Sequence, residues 1–318
     1  MPAYKAKSPV LFIVFNRPEQ ARKVFSRIRE VQPDKLYIAA DGPRASRPGD
    51  ADACRQVREI AQLVDWDCEV KTRFCDVNYG CKIAVSDAIT WFFENEPEGI
   101  ILEDDCFPAY TFFTYCDEML ERYRNDASIF SITGTNLQMG RKWGDASYYV
   151  SRYTNVWGWA TWRRVWQQYD RELSRFPESD VVPVLEKVFG DRFMVHDWRN
   201  IFGQLKAGNI DTWDYQFNFL SFFENGRCLV PNVNLISNIG FGEGATHTTE
   251  TANPHAAMPI VEMDLPITHP AQMQPVREAD FVFLSQEHDL ENRWRRYNKT
   301  TKRIKRWLKR TFLGKKDL

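Results

Sequence analysis

The stretch GIILEDDCFP, running from Gly99 to Pro108, decides how the chain is read. An apolar run with the look of a buried strand delivers three acids, Glu103, Asp104 and Asp105, just ahead of a proline suited to the first position of a helix. Carboxylates in close contact raise one another's pKa unless a cation lies among them. Capping by a helix dipole, typically about 0.3–1 kcal/mol per acid, accounts for one of these acids, or two. It does not account for three where a buried strand emerges. Oxygen-only ligands beside a loop instead suit a hard divalent cation, Mg2+ or Mn2+, which keeps positions open for substrate phosphates.

Working outward, the same alternation repeats. PVLFIVF (Pro9 to Phe15) reads as a buried strand and Pro18 to Arg29 as a helix opened by proline. KLYIAAD (Lys35 to Asp41) is a second strand, stopped by Gly42 and Pro43. A helix over Asp50 to Leu63, a strand over Cys68 to Phe74 and a helix over Cys81 to Glu94 lead back to the acidic stretch. Strands alternating with helices of this length predict an α/β fold, with a mostly parallel sheet flanked by helices. Ligands of such sheets collect beyond the carboxyl ends of the strands, and Asn16, Arg17, Asp41 and the acidic triplet all fall there. No GxxxxGK[ST] stretch occurs, which argues against a phosphate-cradling nucleotide hydrolase.

Beyond the triplet the pattern is less regular. Helices are expected near Val182 to Val188 and Asp197 to Lys206, and residues 250 to 285 are proline-rich and read as an extended excursion. The division expected is a main domain over 1–250, an extended segment over 251–285 and a basic amphipathic helix over 286–318.

Composition frames this reading. The 318 residues, 43% hydrophobic and 14% aromatic, describe a folded globular chain. No apolar stretch approaches the roughly 20 residues that span a bilayer. Asn16 and Arg17 follow the first apolar run without a small-residue cleavage site, so no signal peptide is expected. Seven cysteines with no CxxC pair fit reduced thiols in a cytoplasmic protein, and five dispersed histidines do not form a metal cage. From Arg293 onward twelve Lys or Arg face a single acid, Asp317, so a strongly basic end is joined to an acidic body.

The order FNRPEQARKVFSRI, AADGPR, NYGCKIAVSDAI and GIILEDDCFP resembles the GT-A class of nucleotide-sugar glycosyltransferases, which carry an acidic DxD-like motif at the end of the fourth strand. It is most similar to the inverting N-acetylglucosaminyltransferase I type and to related bacterial sugar transferases. In that type the triplet is followed by a helix, an aromatic GW segment, a Trp-Asp pair and a glycine loop ending in histidine. The counterparts here are ILEDDCFPAYTFFTY, VWGWATWRRVW, TWDYQF and GFGEGATHT, so the resemblance covers roughly residues 8 to 250.

The resemblance implies roles for individual residues. Asp105 would coordinate a metal, Mn2+ or Mg2+, bridging the diphosphate of a nucleoside-diphosphate sugar, with a UDP-sugar favoured. Asp104 would contact the ribose or the metal's water shell, and Glu103 the donor sugar. Asp41 would contact the base, with Arg17 and Lys82 near the nucleotide. His247 would reach the diphosphate or complete the metal shell. Trp157, Gly158 and Trp159 would lie under a sugar, although core packing explains either tryptophan equally well. Asp41 could equally be a turn former, and Arg17 and Lys82 solvated surface charges.

Transfer to an acceptor hydroxyl also needs a proton acceptor. Asp214, beside Trp213 in TWDYQF, is the position that matches the family's base, with Asp211 as the fallback. A base lying across the sugar from the leaving group gives inversion. The alternation of Trp213, Tyr215, Phe217 and Phe219 with polar residues fits a half-buried strand, but the apolar run through Phe223 to Gly226 favours a helix.

In the tail, Tyr297, Ile304, Trp307, Leu308 and Phe312 recur at helical spacing among Lys and Arg. That pattern over 293–318 suits an anionic membrane surface, and with it a peripheral enzyme on the inner membrane face acting on a glycan or lipid-linked acceptor. A solvated terminal helix, or one docked on the acidic body, are the plainer readings. No nucleic-acid recognition motif is present, and none is expected as partner. Two alternatives stand beside the transferase: a sugar nucleotidyltransferase, whose first loop should be glycine-rich where FNRPEQ has no glycine, and an inactive membrane-associated glycan-binding scaffold.

Overall fold

The computed structural model describes residues 4–240 and 257–313. Its first half follows the expected alternation: β1 (Val10–Val14), α1 (Pro18–Val31), β2 (Lys35–Ala40), α2 (Asp50–Arg58) with a 3-10 turn over Glu59–Leu63, β3 (Glu69–Phe74), α3 (Cys81–Asn95) and β4 (Glu98–Glu103). Each residue of β1 is buried, because its strand is paired on both sides and covered by helices. Helix α1 buries Ala21, Val24, Phe25, Ile28 and Val31, a 3–4 spacing that lays one apolar stripe on the sheet, and Pro18 opens it where its missing N–H costs nothing.

Then follow β5 (Cys106–Pro108), α4 (Tyr110–Arg122), β6 (Ile129–Thr133), β7 (Tyr148–Ser151), β8 (Trp159–Trp162), the one-turn α5 (Arg163–Trp166), α6 (Glu178–Phe189), α7 (Arg192–Lys206), α8 (Asp214–Phe223), β9 (Arg227–Pro231) and β10 (Ile236–Asn238). The described C-terminal part holds α9 (Arg277–Glu287), α10 (Leu290–Tyr297) and α11 (Thr300–Leu313).

Eight strands form one sheet in the order β3-β2-β1-β4-β8-β6-β9-β7. The pairs β3-β2, β2-β1, β1-β4 and β6-β9 are parallel, and β8 and β7 run against their neighbours. Six of the eight strands therefore point one way, and the expected mostly parallel α/β sheet is what is found. The shared direction brings the ends of β1, β2 and β4 to one edge.

Three local expectations are corrected. Pro108 does not open a helix: it ends β5, which pairs antiparallel with β10, Pro108 opposite Ile236. The following helix starts at Tyr110, and Glu262 accepts from the backbone N–H groups of Tyr110 and Thr111 at 3.0 and 2.8 Å, supplying the cap that the local sequence lacks. The stretch expected to be extended as far as 285 is helical from Arg277, because α9 buries Ala279, Phe283 and Leu284. The basic end is two helices, α10 and α11, with a break at Asn298. The divide at residue 250 lies outside the described residues.

All seven cysteines are free thiols, and no helix among the described residues is long and apolar enough to cross a membrane.

Candidate functional site

A cavity of about 370 Å³ opens at the carboxyl edge of β1, β2 and β4. It is lined from β1 and its loop by Phe15, Asn16 and Arg17, from the end of β2 by Asp41 and Arg44, and from β4 by Glu103, Asp104 and Asp105. The far wall comes from Trp157 and from Asp211, Thr212, Trp213 and Asp214 at the start of α8. Thus the triplet, Arg17, Asp41, Trp213 and Asp214 line one cavity, brought together from segments spread over some 200 residues of sequence.

The triplet straddles the end of β4: Glu103 is its last residue, and Asp104 and Asp105 form the turn that follows. Asp104 is buried, 7% exposed, and its Oδ2 accepts the Phe15 N–H at 3.0 Å, stitching β4 to the end of β1. Asp105 Oδ2 accepts from Arg17 Nη1 at 2.7 Å, and Arg17 lies 3.9 Å from Asp104 Oδ1. Burial, then the charges of Asp105, Asp104 and Asp214, push the Glu103 carboxyl well above the usual carboxylate range, against the pull of Arg17. Burial and Asp105 push Asp104 up in the same way, with Arg17 and the Phe15 N–H opposing. One guanidinium does not balance these acids.

Across the whole cavity six carboxylates (Asp41, Glu103, Asp104, Asp105, Asp211, Asp214) face three guanidiniums, those of Arg17, Arg44 and Arg73. Arg44 is already committed: its Nε and Nη2 hold Asp50 at 2.6 and 3.0 Å, and Asn16 Nδ2 reaches the same carboxylate at 2.9 Å. The Arg44 hydrogen bond in turn holds Asp50 below its ordinary pKa in spite of burial. This Asn16–Asp50–Arg44 cluster buttresses the first loop. Sequence reasoning missed it, although Arg44 stands in the turn immediately after the second strand.

Asp41 lines the cavity, but its oxygens are occupied by the loop after β3. They accept from Asn78 Nδ2 at 2.8 Å, Tyr79 N at 3.0 and 3.1 Å and Gly80 N at 3.1 Å, besides Gly42 N at 2.8 Å. The turn-forming reading therefore describes its contacts here. Gly80 adopts φ +81°, and a Cβ there would meet Asp211 Oδ2 at 2.9 Å, so the loop needs glycine for both its backbone angle and its closeness to Asp211.

Lys82 is not brought to the cavity. Its Nζ donates to Glu172 at 2.8 Å, and its backbone N–H donates to Asp211 Oδ1 at 3.1 Å. It is the second residue of α3, and its side chain runs to Glu172.

Asp214 is the first residue of α8, so the helix reading of this segment holds. The Thr212 hydroxyl donates to Asp214 Oδ1, fixing the carboxylate from one side. Trp213, 3% exposed, stacks on Trp159 with ring centroids 5.7 Å apart and forms an apolar wall beside Asp214. Of the GW segment, Trp157 faces the cavity while Trp159 is fully buried in the core.

The chain returns to the triplet late. Ile239 N donates to the Asp105 carbonyl at 2.8 Å, and Asn238 lines the cavity. A Cβ on Gly240 would collide with Asp105 Oδ2 and Arg17 Nη1, so the absent side chain makes room for that ion pair. His247 lies outside the described residues.

The donors are chemically suited to a hard cation, being all carboxylate oxygens at a loop. Among the described residues no three His, Cys, Asp or Glu side chains are arranged to enclose a metal ion.

No protein-family model and no curated protein sequence matches the chain. Among solved structures it is similar to mouse xyloside xylosyltransferase 1 in its apo form, with 12% identity, TM-score 0.34, 69% of this chain and 82% of that one covered. It is also similar to UDP-glucose pyrophosphorylase complexed with UDP-glucose, with 8% identity, TM-score 0.33 and coverage of 71% and 90%. A third is 4-diphosphocytidyl-2C-methyl-D-erythritol synthase from Anaerococcus prevotii DSM 20548, with 10% identity, TM-score 0.28 and coverage of 68% and 97%. Identities and scores this low leave the functional reading to the residues of the site itself.

Proposed function

We propose that the chain is a metal-dependent, inverting glycosyltransferase of the GT-A type. It would move a sugar from a nucleoside-diphosphate donor, a UDP-sugar in the favoured case, to a hydroxyl of a glycan or lipid-linked glycan. The observation that carries this reading is the charge imbalance of the cavity, six carboxylates against three guanidiniums. An anionic diphosphate entering such a cavity is repelled unless a cation enters with it.

Mg2+ or Mn2+ held by Asp105 would supply that positive charge and stabilise the leaving diphosphate. Arg17, 2.7 Å from Asp105, is a second positive charge within reach of the same phosphates. Asp214, with Oδ1 held by Thr212, retains Oδ2 to accept the proton of the incoming hydroxyl. Trp213 and Trp157 would exclude water from the reacting face. Inversion follows if Asp214 lies across the donor sugar from the leaving diphosphate, so that the hydroxyl it deprotonates attacks from that side. The chain between β1 and α1 is only Phe15, Asn16 and Arg17, without glycine, which favours this reading over a nucleotidyltransferase with a glycine-rich first loop.

The test is a thermal-shift screen of nucleoside diphosphates and nucleotide sugars with and without Mn2+. At least one should raise the melting temperature, more so with metal, and Asp105→Ala should abolish the metal-dependent part. If no nucleotide shifts the wild-type protein under either condition, the proposal fails.

A further inference from the structure

The C-terminal helices carry two different kinds of charge. In α10 the cations are spent within the protein. Arg293 grips Asp197 of α7 through Nη1 at 2.5 Å and Nη2 at 2.9 Å. Arg295 pairs with Glu291 and Arg296 with Asp289. Trp294 Nε1 donates to Asp191, the N-cap of α7, at 2.7 Å, and its ring packs edge-on against Phe193 at 4.9 Å. The start of the basic end is thus a clasp on the body, as the docked reading of the tail expects.

Helix α11 is built otherwise. Over Thr300–Leu313 it contains no acid. At helical spacing, positions 304, 307, 308 and 312 (Ile, Trp, Leu, Phe) share one arc, and the six Lys and Arg positions from 302 to 310 share the other. Leu313 alone among its apolar residues falls on the cationic arc. Ile304 is 53% exposed and Trp307 61% exposed, so the described apolar positions are turned to solvent and do not pack into the core as Trp294 does.

We infer that α11 is an interfacial helix that lies on an anionic lipid bilayer, held to the folded body by the α10 clasp. The cations of this acid-free helix supply attraction to lipid headgroups, and the apolar arc enters the headgroup–acyl boundary. A polyanion such as RNA would satisfy the cations but offers no apolar phase for Ile304 and Trp307. The helix is too short and too charged to span the bilayer, so association is peripheral. The inference is independent of the proposed sugar transfer, because it uses no residue of the cavity.

The test is co-sedimentation of the full chain with vesicles of phosphatidylcholine alone or mixed with phosphatidylglycerol. Binding should require the anionic lipid and weaken as salt rises. Lys302→Glu with Arg303→Glu should weaken it by about fivefold or more for each cation replaced. Ile304→Ser with Trp307→Ser should lower it by about tenfold or more at unchanged melting temperature. Equal binding to neutral and anionic vesicles, or full binding by both double variants, would overturn the inference. So would an RNA homopolymer that binds the Ile304→Ser, Trp307→Ser variant as well as wild type and displaces wild type from vesicles. Should a double variant unfold, single Trp307→Ser and the salt dependence of the intact chain decide the same question.

Discussion

Two places in this molecule set carboxylates against arginine, and they do so with opposite balance. At the α7–α10 junction the donors outnumber the acids. Burial alone would raise the Asp197 carboxyl, but hydrogen bonds from Arg293, His196 and His288 outweigh it and hold it at about 2. At the end of β4 the acids outnumber the donors, and Glu103 and Asp104 are pushed up with Arg17 as the sole opposing charge and the Phe15 N–H opposing at Asp104. The first arrangement is complete and holds two helices together. The second is electrostatically unfinished, which is the condition of a site that takes up a positively charged ligand. Counting acids does not separate the two places; counting the donors that reach them does.

The largest effect is expected at Asp214→Ala, where loss of the proton acceptor should lower the transfer rate by about 10²–10⁴-fold while donor binding in the thermal-shift assay persists. Full transfer activity would remove Asp214 as the base. Asp105→Ala should lower activity by about 10²–10³-fold and erase the metal-dependent shift, whereas Arg293→Ala should leave both intact.

Arg293→Ala instead tests the clasp. Hydrogen bonds to charged groups are worth about 1.5–3 kcal/mol, discounted here because Asp197 and Arg293 are partly solvent-screened. A loss of about 1–2 kcal/mol in urea unfolding is expected, with earlier proteolytic cleavage in α10. Unchanged stability would mean that the clasp is ornamental.

The pH dependence follows from the sign of each shift. Asp197 is depressed to about 2, so the unfolded chain binds the extra proton, and the stability it contributes is present above the ordinary carboxyl range and lost as pH falls toward 2. Asp280 is raised to about 6, chiefly by burial, against the Ser151 hydroxyl, the Arg152 N–H and the Arg152 charge. There the folded protein keeps the proton longer, so its contribution favours folding at low pH and is lost as pH rises from about 4 to 6. Asp280→Asn should flatten that fall, and Arg293→Ala should flatten the acid limb, both read from denaturant midpoints across pH.

The smallest effect is expected at Lys82→Ala. An exposed pair such as Lys82–Glu172 is worth about 0–1 kcal/mol, and donor affinity should not change. A strong loss of nucleotide binding would return Lys82 to the cavity.

What was legible in the sequence is what local pattern encodes. Three of the four leading strands, β1, β2 and β4, could be read from buried runs such as VLFIV and IILE, and the triplet from three acids at a strand's end. That α8 is a helix showed in the apolar run up to Phe223, although its first residue did not. Long-range partners left no such mark. The β5–β10 pairing joins three-residue strands roughly 130 residues apart, too short for periodicity to register. Asp41 could be placed at the cavity, but not its engagement by Asn78, Tyr79 and Gly80. Lys82 looked available because its partner, Glu172, is 90 residues away. Helix α9 was masked by the prolines before it.

The little ribbon of β5 and β10 also imposes an order of events. Asp105 is tied by its backbone carbonyl to Ile239, and the ion pair of Asp105 with Arg17 fits only beneath Gly240. A chain emerging from the ribosome has made all of its leading strands well before that cover arrives. The cavity is therefore finished late, after the polypeptide has doubled back on its own beginning, and a nascent protein holding every acid of the triplet still lacks the completed candidate site.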